Sequence, residues 1–427
     1  MSAAPALAPA AGRALRIAFI HPDLGLGGAE RYAVDVSLAL AARGHRVSVL
    51  TTRHDPERCF PETLGGAFQV RVLGDVLPAH LGHRLRAPCT IARLTHLACH
   101  SALRAGRFDV ILCDLVAHVI PLVRRLGRAP IVYFCHFPDR LLAPRRGWLY
   151  RLYRAPIDRL EAVGIARAAR VLVTSRFSAS TVRGAFPHLR PGAIDILMPA
   201  VDVAPYDRAR AAPAAPAGET GGALAGEGGV TTLLSLNRFE RKKNLGLAIE
   251  ALARLRDGLP GEAFARLRLV IAGGHDAARR ECEETARDLE ALARRLSVAD
   301  RVVFRRNLSE TERLDLLLSS AAVVYTPEGE HFGLVPLEAM AAARPVVAVR
   351  SGGPLETILD GETGYLCEPT PDAFARALAR IVTDPAAARR MGEAGRAHVR
   401  ASFSPEGFGS ALDRIVREVA GARARRG

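Results

Sequence analysis

Two glutamates eight residues apart, Glu330 and Glu338, flank a turn at Gly333 in the segment EHFGLVPLE (330–338). Gly333 lets backbone approach a ligand closely, the amides of Gly333, Leu334 and Val335 point out of a helix start, and Pro336, which has no N–H, fits the first turn. A helix start of this kind is an anion site suited to phosphate. Ionised carboxylates accept hydrogen bonds, so Glu330 and Glu338 suit sugar hydroxyls and not phosphates. A capping pair on a surface helix would use the same carboxylates; the downstream SGGPLE (351–356) favours a binding site. NRFERKKNL (237–245) adds Arg238 and Lys243 at a strand-to-helix junction, where cations can meet phosphate. A solvated basic turn is the plainer reading. Against it stands the base used: of 59 basic residues only the neighbours Lys242 and Lys243 are lysine. A flexible ammonium differs from a planar guanidinium fork, and this point of the chain calls for the former.

Near the start, HPDLGLGGAER (21–31) has the opening of a dinucleotide-binding fingerprint, but Glu30 stands where the third glycine belongs. The next strand ends in Thr51 and Thr52, with no acidic residue for a ribose, which argues against NAD. Gly27 and Gly28 still allow amides at a helix start to face an anionic or hydroxylated group, as an acceptor or phosphate loop would; a tight turn alone would use the same glycines.

Positioning these groups requires a repeated strand-and-helix framework. Short apolar runs at 15–20, 46–50, 110–113, 131–135, 171–174 and 194–197 alternate with helix-length segments, including an amphipathic one from about Ala29 to Ala42. The alternation lapses between Val203 and Gly229 in a stretch of Ala, Pro and Gly, then restarts at 232–236, 267–273, 301–304, 322–326 and 345–349. These runs predict two α/β domains with parallel, doubly wound sheets and a ligand cleft at the strand ends. The expected division is a disordered tail at 1–14, domains at 15–202 and 230–427, and a linker at 203–229.

Composition narrows the class. With 49% hydrophobic and 24% charged residues the chain is globular, and no run of eighteen apolar residues spans a membrane. The start lacks a charged segment before a long apolar run, against a secretory signal. Seven cysteines with no C-x-x-C fit reduced thiols in a cytoplasmic setting, where the sequon Asn307-Leu308-Ser309 would go unused. Residues 1–202 carry 27 basic and 14 acidic side chains, whereas 203–427 carry 32 and 30. The first half therefore predicts an anionic partner such as a membrane surface, unless the excess is simply a solvated face. Only 5% of residues are aromatic and none interleave with the basic charge, so no nucleic-acid partner is expected.

Glu330 and Glu338 match the E-x7-E signature of the large retaining GT-B glycosyltransferase family, and the resemblance extends over nearly the whole chain. More narrowly, HPDLGLGGAER, HFPDRLL, RLYRAPID (151–158), NRFERKKNL, PEGEHFGLVPLEAM and SGGPLETI resemble the alpha-1,3/1,6-mannosyltransferases of dolichol-linked oligosaccharide assembly. The resemblance implies a GT-B architecture, two Rossmann-like domains facing across a cleft, the first for acceptor and the second for donor. It implies that Arg238 and Lys243 bind the donor diphosphate, with Phe332, Gly333, Leu334 and Val335 beside it, and that Glu338 binds the ribose. Glu330 would hold the transferred sugar, and His136 of CHFPD would sit beside sugar and acceptor; a lone His after an apolar strand is otherwise usually structural. Ala343 replaces the glycine that the family usually carries two residues before Pro345. The apolar membrane segment expected near 89–105 is broken by Arg93, His96, His100 and Arg104.

The expected activity is therefore transfer of mannose from GDP-mannose to a lipid-pyrophosphate-linked oligosaccharide, retaining anomeric configuration. It would proceed at a membrane surface, the cytosolic face of the endoplasmic reticulum in a eukaryote. No cofactor or metal is expected, since the chain has no D-x-D and cations plus a helix start would replace it. Two rivals remain: a bacterial-type transferase for envelope or extracellular polysaccharide, and a sugar-nucleotide-binding protein without turnover.

Overall fold

Strands covered on both faces must be apolar throughout, and the described residues include thirteen short runs that meet that demand in varying degree. The computed structural model describes residues 13–73, 75–78, 86–99, 108–142, 147–211, 229–277 and 279–424. The chain divides into two compact units, Met1–Pro199 with Pro405–Gly427, and Ala200–Ser404.

In the first unit, strands β1 (Arg16–His21), β2 (Arg46–Thr51), β3 (Gln69–Val72), β4 (Val110–Asp114), β5 (Ile131–Phe134), β6 (Arg170–Val173) and β7 (Ile194–Ile196) form a parallel sheet. Its order is β3-β2-β1-β4-β5-β6-β7. The helices of this unit are α1 (Gly28–Ala41), α2 (Arg86–Cys99), α3 (Ile120–Gly127), α4 (Asp139–Leu142), α5 (Trp148–Arg167) and α6 (Arg176–Ala185), together with the last helix of the chain. The second unit begins with α7 (Ala204–Ala211) and carries β8 (Thr231–Leu236), β9 (Leu267–Gly273), β10 (Val302–Arg306), β11 (Ala322–Tyr325), β12 (Val346–Val349) and β13 (Gly364–Cys367), in the order β10-β9-β8-β11-β12-β13. Around this sheet lie α8 (Gly246–Gly258), α9 (Gly261–Ala265), α10 (Arg280–Arg295), α11 (Glu310–Ser319), α12 (Leu334–Ala341), α13 (Pro354–Thr357), α14 (Pro371–Thr383) and α15 (Pro385–Ser402). The final helix, α16, is Pro405–Ala424.

Both sheets are doubly wound. Strand order reverses between β1 and β4 in the first and between β8 and β11 in the second, and ligands bind at such switch points beyond the carboxyl ends of the strands.

Three features depart from the sequence expectation. Edge strands β3 and β13 were not foreseen: β3 (QVRV) alternates polar with apolar residues on an exposed edge, and β13 (GYLC) opens on a glycine, so neither reads as an apolar run. The expected linker begins with α7, because Tyr206 is buried and Asp207 pairs with Arg396 and Arg400; residues 212–228 of that linker, and 1–12 of the expected tail, lie outside the described residues. The end of the chain, expected in the second domain, joins the first unit: α16 buries Phe408, Leu412, Ile415, Val416 and Val419, and Asp413 bonds His45 at 2.6 Å. The sequon is also put to structural use. Asn307 bridges the backbone N–H and C=O of His275 at 2.7 and 2.8 Å, and Ser309 caps α11.

The first unit has one crossing with no tolerance. A Cβ on Gly164 of α5 would lie 1.9 Å from the carbonyl oxygen of Ala117. Gly164→Ala should therefore destabilise the protein by about 1–3 kcal/mol through overpacking, read as a lower midpoint in urea with unchanged slope. An unchanged midpoint would refute the tight crossing.

Candidate active site

At the switch point of the second sheet, the loops after β8 and β11 meet. Thr326, just past β11, donates its hydroxyl to the Lys243 carbonyl at 2.7 Å. Lys243 is only 9% exposed, and its ammonium forms an ion pair with the Glu330 carboxylate. Burial alone would raise the Glu330 carboxyl, but Lys243 beside it holds it below the ordinary carboxylate value. Two predicted residues 87 positions apart are thus in direct contact.

The loop holding Glu330 is fixed from beneath by SGGPLE. Gly329 donates its amide to Ser351 at 3.0 Å, and Gly353 donates to the Glu330 carbonyl at 2.8 Å. A Cβ on Gly352 (φ 64°) would lie 2.4 Å from the Glu330 oxygen, and one on Gly353 would lie 2.0 Å from that of Phe332. Backbone rests on backbone here.

Gly333 adopts φ 84° as the N-cap of α12, a left-handed conformation that favours glycine. The turn aims the first amides of α12, those of Leu334 and Val335, outward, while Pro336 and Leu337 are buried. Phe332, expected beside the donor, instead turns its ring inward against Phe403 at 6.1 Å and is 5% exposed. Its apolar ring is better satisfied in the core, so its part is to anchor Gly333. Glu338 forms an ion pair with Arg313 of α11. Arg238 is exposed and pairs with Glu240 at 3.1 Å; Lys242 and Arg279 pair with the same carboxylate at 3.2 and 3.5 Å. Sequence reasoning missed Glu240, although its position inside a run of four cations was a signal.

The switch point of the first sheet gathers His136 and two residues that sequence reasoning passed over. Register places Ile20 beside Cys113, so His21 and Asp114 end adjacent strands, and Asp114 pairs in turn with Phe134 of β5. The buried Asp114 carboxylate bonds His21 Nδ1 at 3.0 Å and forms an ion pair with His136 Nε2, also at 3.0 Å. Burial would raise the Asp114 carboxyl, yet His136 and then His21 hold it well below the usual carboxylate range. Burial likewise opposes protonation of His136, but Asp114 outweighs it and lifts the imidazole above its ordinary value. The signal was available: RIAFIH and VILCD are apolar strands that each close on a titratable side chain, and the apolar strand IVYF is followed two residues on by His136.

Helix α5 explains RLYRAPID. The buried Arg154 bonds Asp139 at 2.6 Å and Asp158 at 2.7 Å. Glu161 accepts the amides of Asp139 and Arg140 at 2.7 and 3.1 Å, and its burial pushes the carboxyl up to about 7. These bonds clamp HFPDR, and with it the loop carrying His136, onto α5. Gly27 is the N-cap of α1, and the Glu30 carboxylate folds back over it; Gly28 opens the helix with free space where a side chain would stand. Among the described residues no group of three or more His, Cys, Asp or Glu side chains is placed to hold a metal ion.

Comparison with known proteins follows this geometry. Residues 26–204 match the family "Glycosyltransferase Family 4", and residues 225–398 match "Glycosyl transferases group 1". The human alpha-1,3/1,6-mannosyltransferase ALG2 is 42% identical over 396 residues, covering 92% of this chain and 93% of that protein. This chain belongs to the alpha-1,3/1,6-mannosyltransferase family. Other members of the family are similar over most of their length. The Dictyostelium discoideum enzyme is 38% identical, with 92% and 96% covered, and that of Saccharomyces cerevisiae is 34% identical, with 85% and 76% covered. The chain is thus a glycosyltransferase that takes a sugar-nucleotide donor and a glycan acceptor. Among solved structures, sucrose-phosphate synthase from Thermosynechococcus elongatus is similar at a TM-score of 0.74 and 23% identity, with 96% and 100% covered. WaaG, a glycosyltransferase involved in lipopolysaccharide biosynthesis, is similar at 0.64 and 20%, with 93% and 99% covered. These likenesses establish the GT-B fold. No helix among the described residues is long and apolar enough to cross a membrane.

Proposed function

We propose that this protein is a retaining mannosyltransferase that moves mannose from GDP-mannose to a lipid-pyrophosphate-linked oligosaccharide, in alpha-1,3 or alpha-1,6 linkage, at a cytoplasmic membrane surface and without a metal ion. The observation that carries the reading is the Lys243–Glu330 pair beside the start of α12, in a chain 42% identical over 92% of its length to an alpha-1,3/1,6-mannosyltransferase.

In the reaction the bond between the anomeric carbon and the diphosphate oxygen breaks with both electrons staying on GDP. The acceptor hydroxyl oxygen forms the new bond and passes its proton to the departing diphosphate, which has gained the electron pair. Lys243 has three N–H donors and Glu330 occupies one, so two remain for the diphosphate. The first amides of α12 supply fixed partial positive charge where the leaving group gains negative charge. Arg238, exposed next to its partner Glu240, can swing onto the outer phosphate. Glu330, held ionised by Lys243, accepts from sugar hydroxyls, and Glu338 is assigned to the ribose. His136, whose protonation Asp114 favours, suits the part of hydrogen-bond donor to the sugar better than that of a base. Gly27 and Gly28 are assigned to the acceptor side.

Mass spectrometry after incubation with GDP-mannose and a phytanyl-pyrophosphoryl chitobiose mannoside should show a product heavier by one hexose. Product from sugar-only acceptors and none from the lipid-linked one would favour an envelope or extracellular polysaccharide enzyme. GDP binding with no product from either would favour a non-catalytic binder.

A further inference from the structure

Helix α5 is amphipathic the wrong way round for a helix packed only on a protein core. Its inward positions Arg154, Ile157, Glu161, Gly164 and Ile165 include two charged residues. Its outward positions carry the large apolar ones: Trp148 is 67% exposed, Leu149 64%, Leu152 67% and Leu160 43%. The spacing of 148, 149, 152, 156 and 160 is that of one helical face. Leu141 and Leu142 of α4 are exposed as well, so this one supersecondary element holds six of the fourteen exposed large hydrophobic side chains among the described residues. A concentration of that kind marks an interaction surface.

Charge indicates what covers it. The three carboxylates of α4 and α5 are engaged elsewhere: Asp139 and Asp158 with Arg154, and Glu161 with backbone amides. Arg151 stands exposed along one edge of the apolar stripe, and Arg159 stands exposed at its end, next to Leu160. The face is therefore apolar with a cationic border and lacks an uncommitted acid. A second copy of the chain, docked about a two-fold axis, would oppose arginine to arginine. An anionic lipid surface satisfies both features, with leucines below the headgroups, the indole among them, and guanidinium groups on phosphate.

We propose that the outer face of α4 and α5, built on Leu141, Leu142, Trp148, Leu149, Leu152 and Leu160 and bordered by Arg151 and Arg159, docks this protein onto an anionic bilayer surface. The biological purpose rests on the lipid-linked acceptor proposed above. The inner face of α5 clamps the loop carrying His136, so docking the outer face would fix that loop at a set distance from the lipid that anchors the acceptor.

Trp148 is the sole tryptophan of the chain, so its fluorescence reports this face without a label. The full chain is mixed with vesicles of phosphatidylcholine alone or with added phosphatidylglycerol, in the absence of donor and acceptor. The expected result is a blue shift of Trp148 emission with quenching by brominated acyl chains, and about tenfold tighter binding to the anionic vesicles. Leu149→Ser with Leu152→Ser should remove the shift, and Arg151→Glu with Arg159→Glu should remove the preference for anionic lipid. Both are surface changes whose folding is checked by circular dichroism. Vesicle binding with unaltered Trp148 emission would overturn the proposal in favour of another face. A blue shift that rises with protein concentration in the absence of vesicles would overturn it in favour of a second copy. Because this assay needs no turnover, its failure leaves the transferase reading standing, and failure of the mannosyl-transfer assay leaves this result intact.

Discussion

Lys243→Ala is expected to lower kcat by about a hundredfold to a thousandfold, the usual loss when one preorganised partner of a developing negative charge is removed. Its side chain is the buried cation at the switch point, and it also holds Glu330 in the ionised form. Without it, a partly buried carboxylate loses its counter-charge and its pKa climbs, so the variant's activity should fall off at a higher pH on the acid side than that of the wild type. The local fold should survive, because the contact that joins the two loops uses the Lys243 carbonyl, which accepts from Thr326. Lys243→Arg should not restore the rate: a planar fork cannot take the position of a compact ammonium that has Glu330 on one side and, in the proposed mechanism, phosphate on the other. Steady-state kinetics with GDP-mannose and a lipid-linked acceptor check this, and a kcat within about threefold of wild type would contradict an electrostatic role of this size.

Asp114→Ala should be the most destabilising substitution in the first unit, at about 3–5 kcal/mol, because it leaves the buried His21 and the partly buried His136 without the carboxylate they share. The pH dependence follows from the two shifts. Asp114 has a depressed carboxyl, so its contribution is present above the unfolded carboxylate value, about 3.9, and is lost as pH falls through the lower folded one. His136 has a raised value, so its contribution is present below the unfolded imidazole value, about 6.5, and is lost as pH rises through the folded one. The gap in stability between wild type and variant should therefore be widest between about pH 4 and 6.5 and should narrow on either side. Urea denaturation across that range checks it, and a gap independent of pH would show that Asp114 and His136 are not coupled.

Much of this arrangement was readable before any coordinates. Strand-and-helix alternation, the break after Val203 and the composition of EHFGLVPLE are local properties, and each points to doubly wound units with an anion site at a helix start. The Lys243–Glu330 contact was half legible. The lone pair of lysines singled out one partner and E-x7-E the other, but their meeting depends on β8 and β11 being neighbours, which is a property of strand order. The His21–Asp114–His136 group was missed for the same reason: three unremarkable strand endings become one cluster only when β1, β4 and β5 lie side by side. Helix α16 was assigned to the wrong unit because an amphipathic helix shows that it has an apolar face and not which sheet that face covers. Phe332 was expected beside the donor with its neighbours, whereas its ring is core, a property that a four-residue motif does not show.

The seat of the Glu330 loop on Gly352 and Gly353 has a consequence for how this enzyme could change over time. Mutation adjusts a ligand pocket most readily by trading side chains beneath a mobile loop, and here no atoms are available to trade. On the proposed role of Glu330, a shift in sugar preference would have to come from side chains of the loop and of the start of α12. A combinatorial library at these two glycines should return inactive clones almost exclusively, while one at Leu334 and Val335 should not.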